Sequence, residues 1–141
     1  MVDVGNLEKN RKLGKYLYDL YEDEKTLFVI SSDFVTGGNN FEFTYYNKKF
    51  KTVNESMEDL DRQALNIIGE KNSKKFDDYM KKKGCGSNPI TIILSLIEEY
   101  QKNHQDKKIT FDTAGYAQSG KIKNIDYDSA VSYAAGVNFI L

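Results

Sequence analysis

A continuous apolar run, Thr26 to Ser32 (TLFVISS), limits the fold before any other residue is considered. It has the length of a strand, is rich in β-formers and lacks the alternation that leaves one strand face in water. A strand of that kind is expected to be covered on both faces. Upstream, Met1 to Val4 read as a short strand running into Gly5 and Asn6, and Asn6 can cap a helix from Leu7 to about Tyr21. Leu13, Leu17 and Leu20 then fall at helical spacing and are expected to form its buried face, with Gly14 a weak point for helix propensity. Strand, helix, strand predicts a right-handed crossover between parallel strands. It places Asp33 just beyond the carboxyl end of the second strand, the edge where open α/β sheets put their sites.

The rest of the chain continues in the same class. Val35 to Asn40 (VTGGNN) reads as a flexible loop, and Phe41 to Val53 as a hairpin or an extended excursion. Met57, Leu60, Ala64, Ile67 and Ile68 define a helix from about Ser56 to Glu70. A shorter helix capped by Ser73 carries Phe76, Tyr79 and Met80. Gly84 to Asn88 make a turn before Pro89, the one proline, which suits a first helical position, and Ile90 to about Asn103 follow as a helix. Ile109 to Ser119 and Ser129 to Leu141 are β-rich, and the last run is expected to be tied into the sheet. The expected fold class is α/β: a mixed sheet with flanking helices, in one domain over residues 1–141, a length that suits a single core of about 100–200 residues.

Charge and side-chain chemistry remove several functions. Twenty basic and twenty-one acidic residues, with a pI near 5.9, do not make the field that nucleic-acid binding requires. Lys81, Lys82 and Lys83 read as a solvated loop, and Glu58, Asp59 and Asp61 as the solvated first turns of a helix. No stretch approaches the ~20 apolar residues of a membrane span, and no signal-peptide pattern opens the chain, so a cytoplasmic location is expected. The one histidine, His104, and the one cysteine, Cys85, do not by themselves supply a histidine-rich metal site or a Cys/His pair.

Three groups carry the remaining chemistry. Cys85 lies in a loop feeding a helix N-terminus, where a thiol can be a nucleophile or soft-metal ligand, or else a small inert residue. Asp33 could act as a base, a ligand or an orienting partner, while Ser31, Ser32 and Asp33 could equally close a turn through side-chain to backbone bonds. His104 reads as a helix-terminal residue interacting with the dipole. Gly37 and Gly38 lack the spacing of a nucleotide fingerprint.

Three blocks in one order, LFVISSDF (27–34), GCGSNPI (84–90) and the pair YAQS (116–119) with DSAVSYAAG (128–136), resemble the C-terminal half of Memo-family proteins. VDVG (2–5) is similar to that family's preceding strand. The resemblance implies a fold related to class III extradiol dioxygenases and a cleft holding copper or iron through two histidines from the N-terminal half and a cysteine. Cys85 stands at that cysteine's position and is the implied metal ligand; Asp33 matches an aspartate of the cleft, and Ser32, Tyr116 and Gln118 are the further candidate binding residues. Thr36 stands where the family has a histidine, Ser87 where it has an arginine, and the N-terminal half has no counterpart.

The resemblance therefore implies a non-catalytic binding or scaffold module of signalling and cell motility, with a degenerate metal site and no cofactor held by this chain alone. Its expected partner is a protein, with phosphotyrosine-bearing receptor tails in view, and no nucleic acid or membrane. The alternative is a copper- or iron-dependent redox enzyme whose missing ligands come from another polypeptide, or a truncated reading of a longer protein. Half of an α/β domain exposes a sheet edge and face, so an oligomer or complex is expected.

Overall fold

The computed structural model describes residues 7–21, 25–32, 34, 36–38, 52–83, 87–119 and 129–141. Four helices flank a sheet in which the C-terminal strand is central. They are α1 (Leu7–Tyr21), α2 (Val53–Gly69), α3 (Ser73–Lys82) and α4 (Asn88–Asn103). The strands are β1 (Thr36–Gly38), β2 (Ile109–Gln118) and β3 (Ser129–Ile140), in the order β1-β3-β2. The α/β class stands, with both described pairings antiparallel.

Local chemistry accounts for the helix bounds. Thr52 caps α2 by accepting from the Glu55 amide at 3.2 Å. The cap of α3 is Asn72, whose Oδ1 accepts from the Lys75 amide at 2.8 Å, so Ser73 is the first helical residue and not the expected cap. Ser73 is instead tied to α4: its amide and hydroxyl donate to Glu98 at 2.6 and 2.9 Å. Pro89 sits in the first turn of α4, one residue after Asn88, where its missing N–H costs nothing. Between α2 and α3, Lys71 takes a φ of 56°, the left-handed region that turns the chain sharply.

The core lies between the helices and the inner face of the sheet. Leu60, Ala64, Phe76, Met80, Leu94 and Ile97 are fully or almost fully buried, and Phe111, Tyr116 and Ala134 pack onto this core from the strands. α1 lies against α4 through Asn10, Gly14 and Leu17. Leu17 packs as expected, but Leu13 and Leu20 are 45% and 53% exposed, so the buried stripe is rotated from the leucine stripe. The reason is close approach: a Cβ on Gly14 would stand 2.7 Å from the Ile92 carbonyl oxygen and 2.7 Å from Ser95 Cβ. Only a hydrogen there lets the helix backbones meet. Tyr16 is exposed while Tyr18 is half-buried against Tyr100, so the tyrosines of α1 divide between surface and core.

Two strand expectations need correction. Residues 26–32 belong to no strand, and Leu27 and Val29 are 84% and 83% exposed rather than covered on both faces. Phe28 alone packs inward, against the cluster of Leu96, Ile97, Tyr100 and Ile109. An apolar run becomes a strand only when a neighbouring strand accepts its backbone bonds, and no described strand pairs with this one. Conversely, Thr36 to Gly38, expected in a loop, pair with Val131, Ala130 and Ser129 of β3. Small residues suffice there, because the central strand supplies the ladder. Met1 to Val4, the Asn6 cap, the tract 41–51 and the turn 84–86 lie outside the described residues. The expected tie at the C-terminus is present: Lys108 and Leu141 exchange both backbone bonds, at 3.2 and 2.8 Å.

Candidate functional site

Tyr116 and Gln118, two of the residues singled out in the sequence, meet in a polar knot beneath the inner face of the sheet. They lie two apart on β2 and so share a face, opposite Ala134 and Ser132 of β3. The Tyr116 hydroxyl donates to Asp61 Oδ2 at 2.6 Å, and Gln118 Nε2 donates to the Tyr116 oxygen at 2.9 Å and to the Asn54 carbonyl at 3.0 Å. Ser132 Oγ lies 3.3 Å from the same phenol oxygen. Arg62 places its guanidinium 5.7 Å from the centre of the Tyr116 ring and is held by Glu58 at 2.6 Å.

Burial decides the character of this knot. Asp61 is fully buried, and Gln118 and Ser132 nearly so. Burial, and then the Asp61 carboxylate accepting its proton, raise the Tyr116 hydroxyl well above the ordinary phenol range, so it is a protonated donor across physiological pH. A phenol in that state joins α2 to the sheet. It is not poised to lose a proton to a substrate.

Asp61 is the residue that the sequence reading misplaced, as part of a solvated acidic turn. A signal was present: Asp61 falls four residues after Met57 and three before Ala64, on the same helical stripe as the apolar positions. Asp77 repeats the pattern between Ser73 and Met80 and is also fully buried. Its Oδ1 accepts from Ser87 Oγ at 2.9 Å, and its Oδ2 lies 2.6 Å from Lys81 Nζ. Lys81 therefore belongs to the last turn of α3 and to an ion pair, not to a solvated loop. Ser87, buried itself, thereby pins the start of α4 to α3.

Of the other candidates, Ser32 is half-buried, and Asp33 and Cys85 lie outside the described residues. His104 sits where expected, at the C-cap of α4, with Nδ1 3.1 Å from the Tyr100 carbonyl oxygen and its ring stacked on Tyr100 at 4.1 Å. α4 has 16 residues, about 24 Å at a rise of 1.5 Å each. The only imidazole of the chain is thus a helix length away from Ser87, the residue that follows the Cys85 loop by sequence. Among the described residues no three His, Cys, Asp or Glu side chains come together in a metal-holding group. An open groove lined by Ile67, Asn72, Tyr79 and Lys82 has Lys74 and Lys75 at its rim, but these are paired with Asp78 and Glu70 at 2.6 Å each. Two of its three lysines are thus already paired, which leaves a weak positive excess and not a basic cradle.

Tyr116 and Gln118 of the polar knot belong to the YAQS block, Ser87 of the link to Asp77 belongs to the GCGSNPI block, and β3 runs through the DSAVSYAAG block. A family model described as Memo-like protein matches residues 1–137. The chain belongs to the Memo family. Protein MEMO1 of Homo sapiens and that of Danio rerio are each 37% identical to it over 131 residues, covering 91% of this chain and 43% of the relative. The memo-1 homolog of Caenorhabditis elegans is 37% identical over 145 residues, 97% of this chain and 40% of the relative. This Memo chain thus spans less than half the length of these curated relatives. No helix among its described residues is long and apolar enough to cross a membrane.

Proposed function

We propose that this Memo chain acts as a non-catalytic binding or scaffold module in signalling and cell motility, in the cytoplasm, with an incomplete metal site. The observation that carries the reading is the commitment of His104: the single imidazole caps and stacks at the end of α4 opposite Ser87. A copper or iron site needs about three or more ligands of suitable softness. Cys85 and Asp33 stand at family positions in the sequence, but Thr36 brings a hydroxyl where the family has an imidazole. That donor set does not fit the metal. The groups that the sequence resemblance marks as binding residues, Tyr116 and Gln118, are engaged in holding α2 against the sheet. A protein partner, with a phosphotyrosine-bearing receptor tail as the family-based choice, is the ligand class of this reading.

Two measurements test it. Copper and iron retained after incubation and desalting are expected to be equal and near zero in the native chain and in Cys85→Ser. One equivalent of metal that disappears in Cys85→Ser overturns the incomplete-site reading in favour of the metal-dependent redox alternative. Titration with a tyrosine-phosphorylated peptide is expected to give tighter binding than its unphosphorylated form; equal affinity removes the phosphotyrosine partner.

A further inference from the structure

Apolar surface stays open to solvent at several places among the described residues, including Tyr133, Val137 and Phe139 on the outward side of β3. Beside α3 such surface is combined with charge, and charge selects one partner over another. The groove there, of about 400 Å³, has the size of a ligand site, and buried Ile67 of α2 and half-buried Tyr79 of α3 are the apolar part of its lining. Asn72, Lys74, Lys75 and Lys82 are exposed around it. From Glu70 to Lys83 the chain places six lysines against three carboxylates, although its net charge is -1 overall. Each of these carboxylates already holds one lysine: Glu70 holds Lys75, Asp77 holds Lys81 and Asp78 holds Lys74, all at 2.6 Å. Lys71 turns its ammonium to the neutral Gly69 carbonyl at 2.7 Å, and Lys83 Nζ lies 5.8 Å from the centre of the Tyr79 ring. Lys82, which lines the groove, has no carboxylate partner among the described residues. The pairs of Lys74 and Lys75 are half-exposed, and pairs of that kind are weakly held and exchange readily for another carboxylate.

We infer that the groove between the end of α2 and α3 docks an acidic peptide segment that carries one aromatic or long aliphatic side chain. That side chain displaces water from Ile67 and Tyr79, while the carboxylates beside it meet Lys82 and draw Lys74 and Lys75 from their exposed partners. Shape and charge separate this occupant from a bilayer or a nucleic acid. Ile67 is 8% exposed, so the apolar surface is recessed: it receives a side chain and does not enter a membrane. With half of the local lysines already paired, the positive excess is too small to hold a polyphosphate backbone. The inference rests on the binding-module reading and deepens it, by assigning a surface and a ligand chemistry that need neither phosphate nor metal.

The probe that tests it is a fluorescent peptide of glutamates flanking one phenylalanine, titrated into the whole chain. Saturable binding is expected, with NMR amide shifts concentrated at residues 67–83. Lys82→Glu is expected to weaken binding about fivefold or more and Lys82→Arg to retain it, both with unchanged circular dichroism because Lys82 is exposed. Replacing the phenylalanine of the peptide by alanine is expected to remove saturable binding. Raising the salt from about 0.1 M to about 1 M, which shortens the screening length from about 10 Å to about 3 Å, is expected to weaken it. Absence of binding overturns the inference, as does binding indifferent to Lys82→Glu or to loss of the phenylalanine. Retention on phosphatidylserine vesicles in place of the peptide overturns it in favour of a lipid surface. Because the probe carries no phosphotyrosine, the two readings fail separately. Phosphopeptide binding with a silent groove refutes the groove alone, and probe binding through Lys82 without phosphate preference removes only the phosphotyrosine partner.

Discussion

At the scale of single residues, Tyr116 is the side chain on which most depends. Its hydroxyl is the donor to a fully buried carboxylate, and Gln118 and Ser132 gather around the same oxygen. Tyr116→Phe leaves Asp61 without that donor, and a buried acceptor so deprived costs about 1–3 kcal/mol, to be read as a lower urea midpoint. The substitution also changes the response to alkali. Because the folded-state phenol titrates above its unfolded value of about 10, its contribution to stability is complete below that pH and is lost as pH rises through the folded value. Denaturation followed from pH 9 to 11.5 is therefore expected to show a steeper loss in the native chain than in Tyr116→Phe; parallel curves would contradict the buried donor. Tyr116 and Gln118 were legible in the sequence as candidate residues, but their partner was not. Asp61 was read by its charge and its acidic neighbours, whereas its helical phase with Met57 and Ala64 decided where it went.

Helices were the most legible elements, since their bounds follow from caps, a proline and apolar spacing that act within a few residues. Strands were less so, because a ladder needs a distant partner: β2 and β3 supply one for each other, while residues 26–32 do not find one among the described strands. α1 lies between these cases. Its span was readable, but which face it buries depends on α4, some eighty positions further along, and the leucine stripe pointed the wrong way. Gly14 sets that contact. Gly14→Ala raises helix propensity by about 1 kcal/mol, yet the new methyl group meets main-chain atoms of Ile92 and Leu96 at 2.7 and 2.9 Å, which cannot swing aside as a side-chain tip would. A net loss of about 1–3 kcal/mol is expected, with faster hydrogen exchange concentrated in α1. Equal or greater stability would mean that the two helices separate more readily than their packing implies.

At the scale of the molecule, family and fold class were both open to the sequence, and the arrangement of layers was not. The helices and the inner sheet face form a complete core, built around Leu60, Phe76, Met80 and Leu94. The outer sheet face, Leu13 and Leu20 of α1 and the run at Leu27 and Val29 remain apolar and outward. The relatives are longer: the chain spans 43% and 40% of the length of two of them. The outward strip of β3 also bears on the lifetime of the protein in a cell. Tyr133, Val137 and Phe139 on a regular strand are the kind of surface that holdase chaperones and quality-control proteases engage. Left uncovered, that strip would shorten the lifetime of the protein, and its abundance would follow how long the strip stays hidden rather than its rate of synthesis.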